Sequence, residues 1–429
     1  MKNSATMMAA AVAVLSLCGP GVASARNLRN TLGAPSQDAG GLLSSSLGSL
    51  GSVISTQIAN QIPTLSTSAG YTYEFNPQLD VYERSAKTFG PLFSERAVTV
   101  GAKKFNLNFS YTYIKFDRLN GHDLEHLTSR TIVSKDNEFA GVLAPDRVFQ
   151  QVKNVTPGLT PENTFTRAAV DLDLEAQLFD LSMTYGVLDN LDVNVDVPIL
   201  RTFARSSLRT DTLDPRFAAL IPAPASTVIE ESSARETAIG VGDIRLRAKY
   251  LALTAPVRVA GLLDLVLPTG SPGNFQGTGD TRLGTYIILS DTFAEIFEPH
   301  LQTGVEFNTS DVGRSQAKYL AGVTAQVASF AAITFDFLGR SEFGAQGRVP
   351  SAARLPATKD GVFTENTGPF HGEPVFANIS RYDIFDAALG GKVSITPQAI
   401  VFATVILPLN NDQGLRSNAV PTVGFEATF

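Results

Sequence analysis

Charged side chains recur at every second position in several segments of this 429-residue chain. One segment reads DIRLRAKYLA over 243–252, and another reads LDVNVDVPI over 191–199. A period of two places the charged side chains on one face of a β-strand and the apolar side chains on the other. Such a polar face can form ion pairs across neighbouring strands, or it can line a passage whose charges select solutes.

The polar faces give a set of candidate lumen-lining residues. On the membrane-facing side of a transmembrane barrel, Arg and Lys cost about 2–4 kcal/mol each at the midplane, so we expect these charges to face inward. Both signs of charge are present, so the set indicates no preference for anions or cations, and an ion-pair network within the wall is the simpler interpretation. The candidates are Asp192, Asp196, Asp243, Arg245, Arg247, Lys249, Arg258, Asp264, Glu306 and Asp336.

Two other motifs could bind a metal or a phosphate, but each is incomplete. His122 and His126 lie four residues apart in a predicted loop, without a third His nearby to complete a metal site. The Gly-rich run over 270–279 lacks the Lys-Ser/Thr ending of a phosphate-binding loop, so turn formation explains it better. We therefore predict no metal site and no cofactor.

Catalysis by a Ser–His pair is also disfavoured. A surface hydrolase needs Ser and His side by side on one outer wall, and the chain has only 4 His. No such pair is evident in the sequence. We predict no catalytic residues and no enzymatic activity, and an outer-membrane hydrolase is the least favoured alternative.

Composition narrows the class of protein further. Hydrophobic residues make up 44% of the chain and charged residues 17%, with a net charge of −7. The apolar content argues against a disordered chain, and the acidic balance argues against a nucleic-acid-binding protein. The low fraction of charged residues suggests a membrane protein, but the chain lacks an apolar run long enough to form a transmembrane helix.

The first residues resemble a secretory signal. Lys2, an apolar run over 7–17 and the Ala23-Ser24-Ala25 site predict a signal peptide over 1–25. The single Cys, Cys18, would be removed with it, which suits an oxidising compartment. A lipoprotein signal is the alternative, and the bulky Leu17 before Cys18 argues against it.

The spacing of the alternating segments predicts the fold. From Lys104 onward, very short connectors such as 187–190 and 394–397 alternate with long ones such as 118–167, 208–238 and 343–381. An antiparallel transmembrane barrel has short turns at one end and long loops at the other. We predict an all-β, antiparallel transmembrane β-barrel of about 12 strands over 104–429, with an N-terminal plug-like extension. In the segment 168–186, the apolar parity changes between Leu178 and Phe179, which we interpret as a β-bulge.

A soluble β-sandwich would also give alternating strands, with its apolar face turned into a core. The long strands, the export signal and the C-terminal sequence favour the membrane barrel. Apolar residues alternate up to a terminal aromatic, and Phe425 and Phe429 are the candidate assembly signal for the barrel-assembly machinery.

The segment 26–103 is predicted to be a periplasmic or plug segment. Leu43, Leu47, Leu50, Ile54 and Ile58 form one face of a weak amphipathic helix. An irregular, aromatic stretch follows it before the first barrel strand. The plug candidates in this stretch are Phe89, Phe93, Glu95 and Arg96.

Several motifs resemble one family of outer-membrane proteins, grouped as "putative MetA-pathway of phenol degradation". The similar stretches are FGPLFSERA over 89–97, KFNL over 104–107, FSYTY over 109–113, YGVLDNLDV over 185–193, GDIRLR over 242–247 and LPTG over 267–270. The resemblance implies a transporter-like barrel associated with uptake of small aromatic or apolar compounds. Its general plan is also similar to the long-chain fatty-acid channels, whose N-terminal segment plugs the lumen.

These observations predict an exported protein of a Gram-negative outer membrane that passively takes up small hydrophobic or aromatic compounds. Its expected partners are outer-membrane lipid, the barrel-assembly machinery and small apolar solutes, with no nucleic acid. The alternative from another class is a structural or adhesive surface barrel that uses its long extracellular loops for binding.

Overall fold

The computed structural model describes residues 27–33, 54–68, 70, 73–76, 81–84, 88–134, 163–213, 227–344 and 382–429. The predicted signal peptide over 1–25 lies outside these residues. The helices within them are α1 (Leu28–Gly33) and α2 (54–61). The strands are β1 (Tyr73–Asn76), β2 (Val81–Arg84), β3 (Phe105–Phe116), β4 (Arg118–Leu119), β5 (His122–Asp123), β6 (Leu127–Ser134), β7 (Asn163–Leu188), β8 (Leu191–Leu213), β9 (Thr227–Val241), β10 (Arg245–Leu253), β11 (Arg258–Val266), β12 (Arg282–Ser290), β13 (Phe297–Asn308), β14 (Gln316–Ala328), β15 (Ala331–Glu342), β16 (Asp383–Thr396), β17 (Ala399–Pro408), β18 (Leu415–Arg416) and β19 (Val420–Thr428).

Twelve of these strands form a closed antiparallel barrel. They pair in the order β7-β3-β19-β17-β16-β15-β14-β13-β12-β11-β10-β8, and β8 pairs back onto β7. The first and last wall strands join through paired backbone bonds, in which Phe429 N donates to the Phe105 carbonyl at 2.7 Å. The predicted all-β barrel and its strand number are confirmed. The turns near this junction are short and the connections at the opposite end are long, as the sequence predicts.

Beyond the barrel wall, β7 and β8 continue as a two-stranded ribbon at the loop-rich end. β6 pairs with the first half of β7, and β9 pairs with the second half of β8. These pairings widen the ribbon to a four-stranded sheet. The wall on this side therefore rises well above the rest of the barrel.

The barrel wall has an apolar outside and a largely polar inside. On β3 the side chains of Asn106, Asn108, Ser110 and Thr112 are buried inside, whereas Phe109 is 46% exposed on the outside. The outward residues of the other wall strands are also large and apolar, including Leu263, Ile287, Phe335, Leu389 and Val423. This arrangement explains the low charge of the chain without any long apolar run.

The predicted bulge between Leu178 and Phe179 is wrong. β7 pairs with β3 and with β8 in unbroken register through these residues, and its register shifts only near Gly186. Instead, the inward face of the strand changes at this level from apolar to polar, and the outward face changes from polar to apolar. Towards the loop-rich end, apolar side chains such as Leu174 point inward and acidic ones such as Asp171 point outward.

Below that level, Asp180 is buried inside and Phe179 is exposed outside. Parity therefore changes because the strand passes from the membrane-facing band into the region beyond it. A membrane-facing wall needs apolar residues outside, whereas a wall in water needs them inside.

No helix in the described part of the chain is long and apolar enough to cross a membrane.

Candidate functional site

The irregular segment 88–100 lies inside the barrel, in the half that carries the short turns. Phe89, Glu95 and Arg96 are at most 2% exposed. Its backbone bonds directly to side chains of the wall: Lys392 Nζ donates to the carbonyls of Phe89 (3.0 Å) and Pro91 (2.8 Å). Polar wall residues and the backbone of this segment therefore satisfy each other, as buried polar groups require.

Glu95 is the central charge of this segment. Its carboxylate lies 3.7 Å from Arg247 Nη1 and 3.7 Å from Lys249 Nζ. Both cations come from β10, where the alternating sequence turns every second side chain inward. Lys249 Nζ also lies 3.9 Å from Asp192, and Arg247 Nη2 lies 3.5 Å from Asp196. Four of the sequence-predicted charges (Arg247, Lys249, Asp192 and Asp196) thus form one buried network with Glu95.

A second part of the N-terminal segment also binds Glu95. The Thr67 N–H and its hydroxyl donate to the carboxylate at 2.6 and 2.8 Å. The hydroxyls of Ser66 and Ser68 donate to it at 3.1 and 2.9 Å. One carboxylate therefore joins residues 66–68, the segment 88–100 and the barrel wall.

The neighbouring contacts fix the rest of the segment 88–100. Arg96 Nη1 lies 3.5 Å from Glu298, and the Ala97 N–H donates to Ser290 Oγ at 2.9 Å. The Val100 N–H donates to the Asp192 carboxylate at 3.0 Å. At this end the barrel is filled by protein.

A Ser, a His and an Asp meet in this network without forming a catalytic triad. Ser94 Oγ donates to Asp336 Oδ1 at 2.6 Å, and His300 Nε2 lies 2.7 Å from the same oxygen. A triad needs the His between the Ser and the Asp, but here the Asp stands between them. All three side chains are buried, and the hydrogen bond from Ser94 to Asp336 holds the segment 88–100 against the wall.

At the loop-rich end the lumen is apolar and is closed by α1 and α2. Leu28, Leu32, Ile54 and Ile58 are at most 1% exposed and pack with inward residues of β3 and β7 in one core cluster. Ile54 and Ile58 belong to the predicted amphipathic face, and its other three members lie outside the described residues. The N-terminal segment thus contacts the barrel at both ends.

A cavity lies between these two regions, on the side of the barrel that runs from β10 through β17 to β19. Its empty space is about 1090 Å³, counting the part open to solvent. Phe93 and Glu95 lie on one side of it, and Ile62 and Pro63 lie on another. The wall contributes both charged and apolar side chains: Arg245, Arg247, Lys318, Arg340, Arg416, Asp264, Asp386, Leu262, Leu320, Leu338, Ile384, Ile406 and Val420.

The structure separates the predicted lumen-lining residues into three groups. Arg245, Arg247 and Asp264 line the cavity, and Arg245 Nη1 bonds to Asp264 at 2.8 Å. Another group lies in the wall around the N-terminal segment or beside the cavity: Asp192, Asp196, Lys249, Glu306 and Asp336. Arg258 and Asp243 lie elsewhere.

Arg258 is at the short-turn rim, where its side chain is 34% exposed and bonds to Asp291 at 2.9 Å. Asp243 holds the Gly-rich run, because its carboxylate accepts the N–H groups of Gly270 (3.1 Å) and Thr278 (3.0 Å). That run forms a short 3₁₀ turn at Pro272–Asn274.

The plug candidates are all inside the barrel. Phe93 and Glu95 line the cavity, whereas Phe89 and Arg96 are buried deeper. The assembly-signal candidates Phe425 and Phe429 are on the outer surface, 37% and 57% exposed.

Sequence reasoning missed four charged residues of the cavity: Lys318, Arg340, Asp386 and Arg416. The first three have the inward parity of their strands, so extending the alternation through β14, β15 and β16 would have found them. Arg416 lies in the two-residue strand β18, which is too short for parity to give a signal. It folds back to bond with Asp386 at 2.5 Å.

The loop that contains Asp280, outside the barrel wall, is also stabilised by hydrogen bonds and by an ion pair. Burial raises the pKa of Asp280, but hydrogen bonds from Asn308 and Ser310 and the charge of Arg314 together hold that pKa below its ordinary value. Asn308 Nδ2 donates to the carboxylate at 3.0 Å and Arg314 Nη1 at 3.2 Å.

His122 lies in the short strand β5 and His126 in a 3₁₀ turn, Leu124–His126. No group of three or more metal-ligating side chains occurs within the described ranges.

No family model and no curated protein matches the chain. Among solved structures, it is similar to an outer membrane channel from Pseudomonas putida F1 (12% identity, 78% of this chain and 98% of that chain, TM-score 0.43). It is also similar to a Pseudomonas aeruginosa FadL homologue (10% identity, 76% and 90% covered, TM-score 0.32) and to the P. putida toluene transporter TodX (8% identity, 76% and 89% covered, TM-score 0.32). At this identity and TM-score, the likeness does not assign the chain to a family.

Proposed function

We propose that this protein is a channel of the Gram-negative outer membrane for passive uptake of small hydrophobic or aromatic compounds. The observation that carries the proposal is a closed barrel, apolar outside, with an inner cavity that both apolar and charged side chains line. Small-molecule sites generally combine apolar walls with a few polar groups, as this cavity does.

The outer surface supports the membrane location. Its wall residues are large and apolar, whereas Arg247, Lys249 and Asp192 are buried in the interior. A barrel in water would expose this apolar surface, which exceeds what soluble proteins tolerate. We also propose recognition by the barrel-assembly machinery, with Phe425 and Phe429 on the outer surface as the candidate signal.

The N-terminal segment supports a gated rather than an open passage. Residues 88–100 fill the barrel below the cavity, so a solute that enters the cavity cannot continue while the segment is docked. We infer that the region 26–103 acts as a plug, and that uptake requires the segment 88–100 to move.

A structural or adhesive barrel is the second candidate, and one observation favours it. The lower lumen is filled by ion pairs and hydrogen bonds, as expected of a permanent scaffold. The two functions differ in whether the segment 88–100 ever leaves its place.

A reversible crosslink tests this difference. The single Cys of the chain is in the predicted signal peptide, so a mature Ala97→Cys, Ser290→Cys variant would carry only the introduced pair. These two positions are adjacent, because the Ala97 N–H bonds to Ser290 Oγ at 2.9 Å. The matched control is Ala97→Cys alone, which cannot form the crosslink.

The assay is uptake of radiolabelled toluene or phenol by a deletion strain that carries each variant. We expect the strain without the protein to lose uptake, the oxidised double variant to resemble it, and reductant to restore uptake. Equal uptake with and without the protein would contradict transport of aromatic compounds. Uptake that persists in the oxidised variant would contradict the need for plug movement.

A further inference from the structure

An exposed arginine lies on the outer wall of the barrel, directly beyond the apolar band. The outward residues of β8 are apolar up to Ile199, and Arg201 is the next outward long side chain. In the barrel register, Ile199 is opposite Phe179, where the apolar band of β7 begins. Arg201 therefore lies at the boundary of the band on the loop-rich side, which is the extracellular side in barrels of this kind.

Two further arginines, Arg205 on β8 and Arg235 on β9, face each other at a higher level. They are directly opposite in the register, and both side chains are exposed. The four residues from Arg201 to Arg205, at a rise of about 3.4 Å and a tilt of about 40°, put this pair roughly 10 Å farther from the membrane. Like charges directly opposite each other destabilise a pair of strands. An anion between the two guanidinium groups would remove this repulsion.

The chain itself supplies no such anion. Within the residues that the structure describes, Arg201, Arg205 and Arg235 make no ion pair and no hydrogen bond. The acidic residues of the same outer face all belong to β7: Asp171, Asp173 and Glu175. Asp173 is opposite Arg205 in the register, yet the two side chains do not pair. The other side of Arg205 faces Arg235, and no described strand covers the far edge of β9. The cationic side of this surface is therefore open.

Apolar side chains accompany the three arginines. Ile239, opposite Arg201 on β9, is 67% exposed, and Phe203 lies between Arg201 and Arg205 on the outward face of β8. Guanidinium groups and apolar side chains at a membrane boundary fit a lipid with a phosphate-bearing headgroup. The headgroup layer of a phospholipid is only about 5–8 Å thick on each side of the bilayer, so the upper pair lies beyond it. A lipid that carries its phosphates on sugars reaches this height.

We propose that Arg201, Arg205 and Arg235 form a binding site on the outer wall for lipopolysaccharide, the phosphorylated glycolipid of the outer leaflet. A phosphate of its sugar headgroup bridges Arg205 and Arg235, and the start of an acyl chain lies against Ile239. The site is outside the lumen and takes no part in the passage of solutes. The inference therefore goes beyond the proposed function and depends only on the membrane location of the barrel.

Native mass spectrometry of the full mature protein in detergent micelles tests the site, because it counts the lipids that each protein molecule retains. The three probes are rough lipopolysaccharide with a phosphorylated core, the same glycolipid after removal of its phosphates, and phosphatidylglycerol. The second probe keeps the acyl chains and the sugars, whereas the third keeps an anionic phosphate on a small headgroup. We expect the phosphorylated glycolipid to bind about tenfold more tightly than either.

The test variant is Arg205→Gln with Arg235→Gln, which removes both opposed charges. Exposed charge pairs change an affinity by a few-fold each, so we expect this variant to bind the phosphorylated glycolipid about tenfold more weakly. Arg201→Gln should weaken binding by about threefold. The matched control is Lys103→Gln with Arg258→Gln, which removes two positive charges at the short-turn end and should leave the affinity unchanged.

The replaced side chains are exposed, so the variants should fold, and heat-modifiable migration verifies this. If the phosphate-free glycolipid binds as tightly as the phosphorylated one, or if Arg205→Gln with Arg235→Gln keeps the wild-type affinity, the inference is wrong. If phosphatidylglycerol binds as tightly, the surface takes any anionic lipid and the assignment to lipopolysaccharide is wrong. Equal losses in the test and control variants would show an effect of net charge and would also overturn the site. Solute uptake is measured separately, so none of these outcomes decides the proposed function.

Discussion

Neutralising Glu95 should release the segment 88–100 from the barrel. Glu95→Gln keeps the shape of the side chain but removes the charge that faces Arg247 and Lys249, each at 3.7 Å. The Glu95 side chain is only 3% exposed, so water does not compensate for the lost charge. The substitution also weakens hydrogen bonds that residues 66–68 donate to the carboxylate.

The magnitude follows from the burial of this network. Removing one partner of a buried ion pair costs about 3–5 kcal/mol, because the remaining charge is left uncompensated. Each 1.4 kcal/mol changes an equilibrium by about tenfold, so the population with the segment undocked should rise roughly a hundredfold to a few thousandfold. Removing a cation as well, in Glu95→Gln with Lys249→Gln, should recover part of this loss.

Single-channel recording in planar bilayers measures the effect. We expect the wild-type protein to show rare brief openings, Glu95→Gln to show frequent long ones, and the double variant to fall between them. Glu125→Gln makes the same chemical change at an exposed loop side chain and should behave as wild type. If Glu95→Gln retains a folded barrel, seen as heat-modifiable migration, and its openings match the wild type, the segment is not held by this carboxylate.

Three further perturbations test other parts of the structure. Leu263→Arg, on the membrane-facing wall, should lower the free energy of unfolding in lipid by about 2–4 kcal/mol, whereas Asp171→Arg, beyond the membrane band, should change it little in the same urea titration. Gly186→Ala should lower the unfolding midpoint because its Cβ would overlap a carbonyl of the segment that enters the barrel, whereas Gly261→Ala, which meets open space, should not. Because the pKa of Asp280 is below its ordinary value, the ionised carboxylate stabilises its loop at neutral pH. This stabilisation is lost as the pH falls through the ordinary pKa and then through the lowered pKa. Pepsin should therefore cut the loop faster only in strong acid, and Asp280→Asn should remove that change.

The barrel itself was predictable because its signal is repeated. Each wall strand alternates, and each pair of strands is joined by a short or a long connection, so one misread segment does not change the result. The inward direction of Arg247 and Lys249 followed from the same alternation. The cost of placing charges in lipid was enough to show that the charged face of each strand points into the barrel.

The site was less predictable because its contacts come from parts of the chain without periodicity. Nothing in the order of residues shows that Glu95 meets Lys249, 154 residues later, or that Arg416 of the short strand β18 bonds to Asp386. Leu178 misled the prediction for a different reason, since the parity rule assumes one environment along the strand and β7 passes through two.

The change of polarity between Leu178 and Phe179 marks one end of the outward apolar stretch of β7, and the length of that stretch gives the thickness of membrane that the barrel fits. The outward apolar residues of β7 run from Phe179 to Val187. Nine residues at a rise of about 3.4 Å and a tilt of about 40° span roughly 23 Å, less than the ~30 Å hydrocarbon layer of a typical bilayer. Long-chain lipids would press their tails against Gln177 and Glu175, so reconstitution in short-chain lipids should give the more stable protein.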